Sequence, residues 1–439
     1  MKTLTTFALV CSLSSTAFSQ AIHHVDASAA PGGNGQSWAQ AFGSLDHGLD
    51  AAHDGDQIWV AAGTYKPRHR TSASDPRSVS FRPRDGVHMF GGFAGNEQTL
   101  AGRAGLFADT ILDGEIGNPN TIQDNARHVL RLDGNGFLHT FDGFCVQNGY
   151  ADGTGLHGTG GAAFVQLGTK FVRNCIFRDN RAVRGGALYV EASVCFVQDC
   201  LFEGNLAQRG GALFATQRIA VANTIFRRNA AFVTGGAILV TQGGTPSSTF
   251  QNCLLYGNRA RTGGAVFLTN GSVTNTPGKA LFSGCTVVSN FAAIHGGAFA
   301  TPPNALQGCD LRVWNSIVWN NEATEDPHYT GHGSHLEVLY SDFQGGWPGA
   351  GNIDRNPRFT NALNHDYTLR FLSPCIDSAS NLRVTPDVWD LDQDDVWAEA
   401  TPFDLLGQAR HADDSTSPDT GEGNSPITDM GAFEVAGRD

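Results

Sequence analysis

Apolar residues in the middle of the chain occur in runs of four to six, bordered by Asn, Gly and Asp. The runs are rich in Val, Ile, Leu and Phe, and their length and borders are typical of β-strands. A helix would instead need an apolar period of about 3.6 residues, which the runs do not show. Between positions 174 and 300 a unit of about 25 residues is written five times in succession. Such a repeat predicts a solenoid in which every unit forms one rung.

Each unit has two halves with their own motif. The first half reads NCIFRDN, DCLFEGN, NTIFRRN, NCLLYGN and GCTVVSN in successive units, and the second begins with Gly-Gly-Ala. The second Gly of each pair stands at 161, 186, 211, 236, 264 and 297, so the spacing grows from 25 to 33 where loops are inserted. Three strands fit one unit, for example 170–173, 175–178 and 187–190. The glycine pair lets the third strand turn inward without a Cβ clash.

Two columns of turn residues separate the predicted strands. The first holds Asn174, Asp199, Asn223, Asn252 and Asn315, and the second holds Asn180, Asn205, Asn229, Asn258 and Asn290. Asn tolerates the left-handed backbone that a sharp corner needs. Its side-chain amide can also hydrogen-bond to the same residue of the next rung. We therefore predict left-handed corners and ladders of stacked amides.

The motif Phe-x-x-Asn stands at 177–180, 202–205 and 226–229, and Gly-Gly-Ala with an apolar residue follows it each time. This pair of motifs resembles the repeats of the polymorphic outer-membrane proteins, a family of bacterial surface proteins, over residues 140–321. Residues 22–65 resemble the N-terminal segment of pectin-lyase-like secreted proteins. The resemblance implies an all-β protein, a right-handed parallel β-helix solenoid with a short N-terminal capping helix and an irregular C-terminal cap.

The chain divides into five predicted segments. They are a signal peptide at 1–19, an N-terminal cap and first strand at 20–65, an irregular loop with degenerate rungs at 66–141, β-helix repeats at 142–346 and an acidic C-terminal cap region at 347–439. Lys2, an apolar stretch at 4–10 and the small residues Ala17 and Ser19 indicate the signal peptide. We expect an exported protein, extracellular or at the cell surface, with no other stretch suited to span a membrane.

The ends of a solenoid expose unpaired strand edges and apolar interior, so each needs a cover. At the N-terminal end Ser44 can cap a short helix whose Leu45, Leu49 and Ala52 share one face. The segment IWVAAGTY at 58–65 then enters as the first strand. Five of the seven tryptophans, at 314, 319, 347, 389 and 397, lie near the other end. We expect them to cover that end; the alternative is a platform for stacking sugar rings.

Eight cysteines remain after removal of the signal peptide. One column of the repeat holds Cys175, Cys200, Cys253 and Cys285 together with Thr224 and Ser316. A position shared by Cys, Thr and Ser requires a small buried side chain rather than a cross-link. An oxidising compartment would permit disulfides, but the repeat predicts a packed column of largely reduced cysteines.

Charge is divided unevenly along the chain. Residues 174–300 carry ten Lys and Arg against four Asp and Glu, whereas 301–439 carry seven against 23. Between the second Asn column and the glycine pair stand Arg181, Arg184, Arg209, Arg259 and Arg261. Stacking of rungs would bring Arg184 above Arg209, and Arg259 near Arg261, along one ridge.

Like charges held together favour an anionic partner, an acidic polysaccharide or cell-surface glycan, so these five arginines are the candidate ligand-binding residues. The alternative is a charged ridge that keeps the solenoid soluble. Nucleic acid is a poor partner for an exported protein with a net charge of -13.

The stretch DVWDLDQDD at 387–395 places Asp390, Asp392 and Asp394 at alternate positions, as in the first half of a calcium loop. Ca²⁺ is a hard cation that binds converging carboxylates, so calcium is the candidate cofactor and these aspartates are its candidate ligands. Asp395 occupies the place where such a loop has Gly, and the expected final Glu is missing. The alternative is a solvated acidic loop.

Three functional hypotheses remain open. The main one is an adhesin-like surface or extracellular protein that binds glycans or cell surfaces. The alternative is a polysaccharide lyase or glycoside hydrolase of the pectin-lyase-like group, which shares this architecture without the fold deciding function. Hydrolysis needs two carboxylates beside one bond, and residues 174–300 offer Asp179, Glu191, Asp199 and Glu203 alone. The second alternative is a structural spacer.

Overall fold

The computed structural model describes residues 20–134, 138–241, 247–271, 277–302, 308–331, 333–387 and 399–435. The predicted signal peptide lies outside these ranges. The described chain coils into parallel strands that stack in four long sheets, and each repeat unit adds one strand to every sheet. In the described part, no helix is long and apolar enough to cross a membrane.

The first two sheets extend along the whole described coil. The first contains Ile22–Val25, Gln57–Ala61, His88–Phe93, His139–Asp142, Thr169–Arg173, Val194–Gln198, Ile219–Ala222, Ser248–Gln251, Lys279–Ser283, Asp310–Trp314 and His335–Leu339. The second contains Gly63–Tyr65, Thr110–Asp113, Cys145–Gln147, Ile176–Arg178, Leu201–Glu203, Ile225–Arg227, Leu254–Tyr256, Thr286–Val288, Ile317–Trp319 and Asp342–Phe343.

The other two sheets are shorter. The third contains Tyr150–Ala151, Arg181–Arg184, Leu206–Arg209, Ala230–Thr234, Arg259–Thr262, Phe291–His295 and Glu322–Glu325. The fourth contains Leu130–Leu132, Ala163–Gln166, Leu188–Glu191, Leu213–Ala215, Ile238–Val240, Val266–Leu268, Phe299–Ala300 and Tyr329–Thr330. Outside the coil, Phe359–Asn361 pairs antiparallel with Asp366–Leu369. The helical elements are Leu45–Ala51, which is α-helical, and the 3₁₀ turns Trp38–Gln40, Pro76–Ser78, Leu100–Gly102, Gly155–Gly158, Ala362–Asn364 and Asn381–Arg383.

A repeat unit forms four strands, so the prediction of three strands per unit was wrong. The additional strand is the one in the third sheet, for example Arg181–Arg184. Strands of this sheet turn mainly one small side chain inward: Ala260 is buried, while Arg259 and Arg261 on either side are exposed. Most of these strands contain no apolar run, so the hydrophobic pattern does not reveal the sheet.

Identical residues of successive rungs pack against each other inside the coil. Phe177, Phe202 and Phe226 are fully buried, and neighbouring ring centroids are 4.8 Å apart. This distance matches the spacing of hydrogen-bonded strands. The interior is therefore built from columns of stacked side chains, each column passing from rung to rung.

The cysteine column confirms the predicted packing, and the eight cysteines are buried and free. The Sγ of Cys200 donates to the carbonyl two residues earlier at 3.1 Å. The hydroxyls of Thr224 and Ser316 make the equivalent bond at 2.7 Å and 2.6 Å. Cys, Thr and Ser replace one another here because each is small and carries one donor for the same backbone acceptor.

The first asparagine column forms the predicted left-handed corners. Its members Asn174, Asp199, Asn223, Asn252 and Asn315 have φ angles of 50°, 52°, 47°, 49° and 50°. Asn and Asp are the non-glycine residues that best tolerate this region. The residue type in this column thus follows from the backbone conformation at the corner.

The second asparagine column has a different role from the predicted one. Here the left-handed residue is the one before the Asn, as at Arg228 with φ of 55°. The Asn side chains are fully buried and form an amide ladder, in which Nδ2 of Asn205 donates to Oδ1 of Asn229, and Nδ2 of Asn229 donates to Oδ1 of Asn258, both at 3.0 Å. The ladder is confirmed, whereas the left-handed backbone is displaced by one residue.

The glycine pair meets two backbone requirements, a left-handed conformation at its first residue and a close contact with the next rung at its second. Gly210, the first of a pair, has φ of 62°, a conformation that costs other residues free energy. At Gly211, the second, a Cβ atom would lie 2.0 Å from the carbonyl oxygen of Gly236 in the next rung. No side chain fits there, so the second glycine of the pair allows the backbones of successive rungs to approach closely.

The N-terminal helix spans Leu45–Ala51 and confirms the predicted cap. Leu45 and Leu49 are buried in one cluster with Val25 and Ile58 of the first sheet. Ser44 stands at the N-cap position, but its side chain makes no capping hydrogen bond. The helix is therefore held by its apolar face rather than by its cap.

The coil begins earlier than predicted. Its first strand is Ile22–Val25, which pairs in parallel with Gln57–Ala61. The hydrophobic pattern does not reveal the strand IHHV, because Val25 is its single buried residue and the strand contains no apolar run. The predicted first strand at 58–65 also divides in two at Gly63, which has φ of 156°.

The chain after Phe343 covers the C-terminal end and then folds back. Trp347 packs at the end of the coil, with its ring 5.8 Å from Tyr329 and 5.6 Å from Phe343. The following segment, which we call the lateral segment, comprises residues 355–387 and 399–435. It lies on the outside of the second sheet, where Tyr367 packs 5.3 Å from Tyr256. The predicted C-terminal cap is thus an end cover only at its start, and beyond it a lateral cover.

The first asparagine column fastens this lateral segment to the coil. Nδ2 of Asn315 donates to the carbonyl of Ser380 at 2.8 Å, and Nδ2 of Asn252 donates to the carbonyl of Phe403 at 2.6 Å. The side-chain amides of the first column therefore bind the C-terminal segment, whereas those of the second column bind one another inside the coil.

Asp342 is buried where the lateral segment meets the coil. Its carboxylate accepts hydrogen bonds from the backbone N–H of Arg355 at 3.2 Å and from Sγ of Cys375 at 3.3 Å. Burial raises the pKa of Asp342 from 3.8 to about 7, because a charge is poorly solvated in this environment.

We expect Asn229→Leu to lower the free energy of unfolding by on the order of 3 kcal/mol, because it removes the amide and leaves buried partners unsatisfied. The partners lost are the carbonyl of Phe202, at 2.9 Å, and the amides of Asn205 and Asn258. Denaturant unfolding measures the loss. Gln217→Leu, on an exposed residue of the same coil, is the control, and equal stability of the two variants would contradict the ladder.

Replacing Asp342 by Asn should stabilise the protein at pH 8 but not at pH 4. The folded-state pKa lies above the ordinary value of 3.8, so the folded state binds an extra proton and stability is lost as pH rises from about 4 to about 7. Asn has no such proton. We expect a gain on the order of 2 kcal/mol at pH 8. Melting curves of both proteins at the two pH values test this, and a pH-independent difference would refute it.

Candidate functional site

The predicted arginine ridge lies on the outer surface of the third sheet. We call this surface the arginine face; it carries Arg181, Arg184, Arg209, Arg259 and Arg261, all exposed. The register places Arg184 directly opposite Arg209 on the adjacent strand, as the repeat spacing predicts. Arg259 and Arg261 belong to a single strand, two rungs further along.

The arginine face carries unneutralised charge. In the described part of the chain, none of its five arginines forms an ion pair with a carboxylate, whereas Arg103 and Arg227 elsewhere lie 2.9 Å and 2.8 Å from Asp142 and Glu203. Arg184 interacts with the hydroxyl of Tyr189, which leaves its charge intact. The positive charge of the face is therefore available to an anion in solution.

Exposed aromatic rings lie beside these charges, Phe232 on the strand between those of Arg209 and Arg259, and Phe291 on the strand paired with that of Arg259. Phe232 is 67% exposed and Phe291 is 48% exposed. The register shifts between Ala230 and Thr234, and this bulge turns both Phe232 and Val233 outward. The hydrophobic pattern does not reveal these residues, because an apolar pair inside a strand is normally interpreted as buried. The signal was available, since AAFVT has one residue more than the corresponding strand sequence RART.

The C-terminal end of the third sheet is acidic. Its last strand, Glu322–Glu325, carries two exposed carboxylates. Nδ1 of His295 lies 3.2 Å from a carboxylate oxygen of Glu325 on the adjacent strand. The face therefore changes sign along the coil, from arginines in its middle to glutamates at its end.

A cleft of about 370 Å³ lies between the second sheet and the lateral segment. Its lining includes Trp319, Arg358 and Arg370, together with Ser289 and Asn320. An indole beside two guanidinium groups can stack on a sugar ring and pair with a carboxylate. This cleft is the second place where the described residues could hold an acidic sugar.

The described tryptophans of the C-terminal third, Trp314, Trp319 and Trp347, do not form a common platform. Trp314 lies on the first sheet, where its indole donates to Glu337 at 2.8 Å and Arg383 stacks 5.2 Å from its ring. Trp319 lines the cleft and Trp347 closes the end of the coil. The prediction that the tryptophans jointly cover the end therefore holds for Trp347, while Trp389 and Trp397 lie outside the described residues.

The candidate calcium ligands Asp390, Asp392 and Asp394 also lie outside the described residues. The chain enters and leaves their loop as an antiparallel pair, with Pro386 opposite Ala400. The calcium loop stays a prediction.

The match to a known protein family agrees with the β-helical architecture of the coil. A family described as right-handed beta helix region matches residues 117–305. Pectate lyase Pel9A is similar in structure at 14% identity, with 94% of this chain and 96% of that chain covered and a TM-score of 0.49. A pectin methylesterase from Aspergillus niger is 15% identical, covering 72% and 91% at a TM-score of 0.41. A rhamnogalacturonan lyase is 13% identical, covering 77% and 90% at 0.42. No curated protein matches the sequence.

The family match and the sheet topology together define the class of protein. The chain is an all-β, right-handed parallel β-helix solenoid, which confirms the predicted fold class. The family match supports the right-handed β-helix, and the finer resemblances to pectin-lyase-like proteins and to polymorphic outer-membrane proteins stay predictions. The neighbours' names agree with the polysaccharide-enzyme alternative better than with an adhesin, but with TM-scores below 0.5 they carry no argument about function.

Proposed function

We propose that the protein is exported and binds an acidic polysaccharide along the arginine face. The observation that carries this proposal is the set of five exposed arginines that lack carboxylate partners in the described chain. Arg184 and Arg209 are fixed opposite each other by strand pairing. The charges are therefore held together before any ligand arrives, and an anion relieves their repulsion.

The chemistry of the face fits a chain of uronic acids. Each such sugar carries a carboxylate, which a guanidinium can bind with two parallel hydrogen bonds. Each also has an apolar ring face, which can pack on exposed aromatic side chains such as Phe232 and Phe291. Successive strands are about 4.8 Å apart, so Arg184 and Arg209 on adjacent strands offer two guanidinium groups to one polymer chain.

The geometry favours binding over cleavage at this face. A glycoside hydrolase flanks the bond with two carboxyl groups about 5 to 9.5 Å apart. The acid–base pair at the end of the third sheet, His295 and Glu325, is separated by 3.2 Å, which leaves no room for a sugar between the two groups. Cleavage by a lyase or hydrolase is the alternative, and a structural spacer whose charged ridge keeps the solenoid soluble is the second alternative.

We expect the double variant Arg184→Ala/Arg209→Ala to bind polygalacturonate about tenfold more weakly than the wild type, because two charge-assisted bonds are lost. Raising the salt from about 0.1 M to about 1 M should weaken the wild type as well, since the screening length falls from about 10 Å to about 3 Å. Isothermal titration of the mature chain measures both effects. Incubation with the same polymer, followed by analysis of reducing ends and unsaturated products, detects cleavage.

Two control variants sharpen the comparison. Arg68→Ala/Arg70→Ala removes the same charge from exposed positions elsewhere and should bind like the wild type. Arg184→Lys/Arg209→Lys keeps the charge without the fork and should bind with intermediate affinity. Binding that ignores both salt and the face variants would refute the proposal, and a matching loss in a Trp319→Ala variant would assign the ligand to the cleft instead.

A further inference from the structure

Three aspartates of the lateral segment converge in space although they are far apart in sequence. Carboxylate oxygens of Asp377, Asp413 and Asp419 all lie within 4.8 Å of one another. Calcium holds its oxygen ligands at about 2.3 to 2.6 Å, so oxygens on opposite sides of one ion are about 5 Å apart. One Ca²⁺ can therefore contact all three groups.

Asp377 is the unusual member of the cluster. Its side chain is completely buried, and neither carboxylate oxygen has a hydrogen-bond partner among the described residues. Burying a carboxylate without a partner costs several kcal/mol unless a cation or proton compensates. Burial and the neighbouring Asp413 and Asp419 raise its pKa to about 7, and the backbone N–H of Asp414, which lies nearby without meeting hydrogen-bond geometry, offsets only part of this rise.

The surrounding backbone fixes the position of these groups. The backbone N–H of Asp377 donates to Oδ1 of the buried Asp429 at 2.8 Å, and its carbonyl accepts from the N–H of Thr420 at 2.9 Å. The carboxylate of Asp414 accepts from the N–H of Thr416 at 3.1 Å and so closes the loop between Asp413 and Asp419. Asp414 is thus engaged in its own turn, and the other three carboxylates are free to face one point.

We infer that Asp377, Asp413 and Asp419 bind a calcium ion. The donor set is entirely oxygen and carries three negative charges, which suits a hard divalent cation. Asp413 and Asp419 are exposed, so water can complete the six to eight ligands that calcium takes. The described residues place no ion pair on any of the three groups.

The ion would hold two separate parts of the lateral segment together. It joins the turn at Asp377 to the loop 413–419. Residues that follow each of these two parts bind the coil at Asn315. The N–H of Ser380 donates to Oδ1 of Asn315, and the N–H of Gly431 donates to its backbone carbonyl. This site is distinct in sequence from Asp390, Asp392 and Asp394, and it does not depend on the arginine face.

The test compares melting of the mature chain after removal of divalent ions with melting in about 10 mM CaCl₂. We expect calcium to raise the melting temperature of the wild type by on the order of 3 °C, and calorimetric titration to give a Kd of about 10⁻⁴ to 10⁻³ M, as in extracellular modules. Asp377→Asn should be at least as stable as the wild type without calcium, because repulsion is relieved, and should gain little from calcium.

Three further variants keep the inference falsifiable. Asp419→Asn alters an exposed ligand and should weaken calcium binding at least tenfold, whereas Asp109→Asn, at an exposed aspartate outside the cluster, should behave as the wild type. If calcium fails to stabilise the wild type, or stabilises Asp377→Asn and Asp419→Asn fully, the inference is wrong. Loss of the effect in Asp392→Ala alone would overturn it in favour of the loop predicted from the sequence.

Discussion

The amide ladder of the second asparagine column is the constraint on which the rest of the coil depends. Each buried Asn satisfies the backbone and side chain of its neighbours in adjacent rungs, as Asn229 does for Asn205. A buried amide without these partners would cost more than most apolar contacts supply. The ladder therefore holds successive rungs in one register, and that register fixes every other column, including the stacked phenylalanines and the arginines.

The same register explains why a binding surface arises on the third sheet. Strands of this sheet contribute little to the core, since none of them buries more than a single small residue such as Ala207 or Ala292. Their outward positions are free of packing demands and can carry charge. Strand pairing then aligns these positions at a fixed spacing. A repetitive scaffold in this way presents a repetitive surface, which suits a polymeric ligand.

The lateral segment solves a different physical problem. It is strongly acidic, yet carboxyl groups are buried both within it and at its contact with the coil. Burial raises the pKa values of its Asp377 and Asp429, and of Asp342 on the second sheet, to about 7. Each of these groups needs a proton, a donor or a cation. Asp342 receives hydrogen bonds, Asp429 holds the turn at Asp377, and Asp377 itself is left for the proposed calcium ion.

The sequence by itself determined the solenoid, the parallel stacking, the cysteine column and the opposition of Arg184 and Arg209, because a fixed repeat imposes a fixed register. It did not reveal the fourth strand of each rung or the strand Ile22–Val25, since Ile22–Val25 and most strands of the third sheet contain no apolar run. The tertiary structure alone decided that Phe232 faces outward and that Asp377 meets Asp413 and Asp419. The path of a non-repetitive segment leaves no periodic signal from which the aspartate contacts could be predicted, and the extra residue of AAFVT indicates a bulge without deciding which side chain it turns outward.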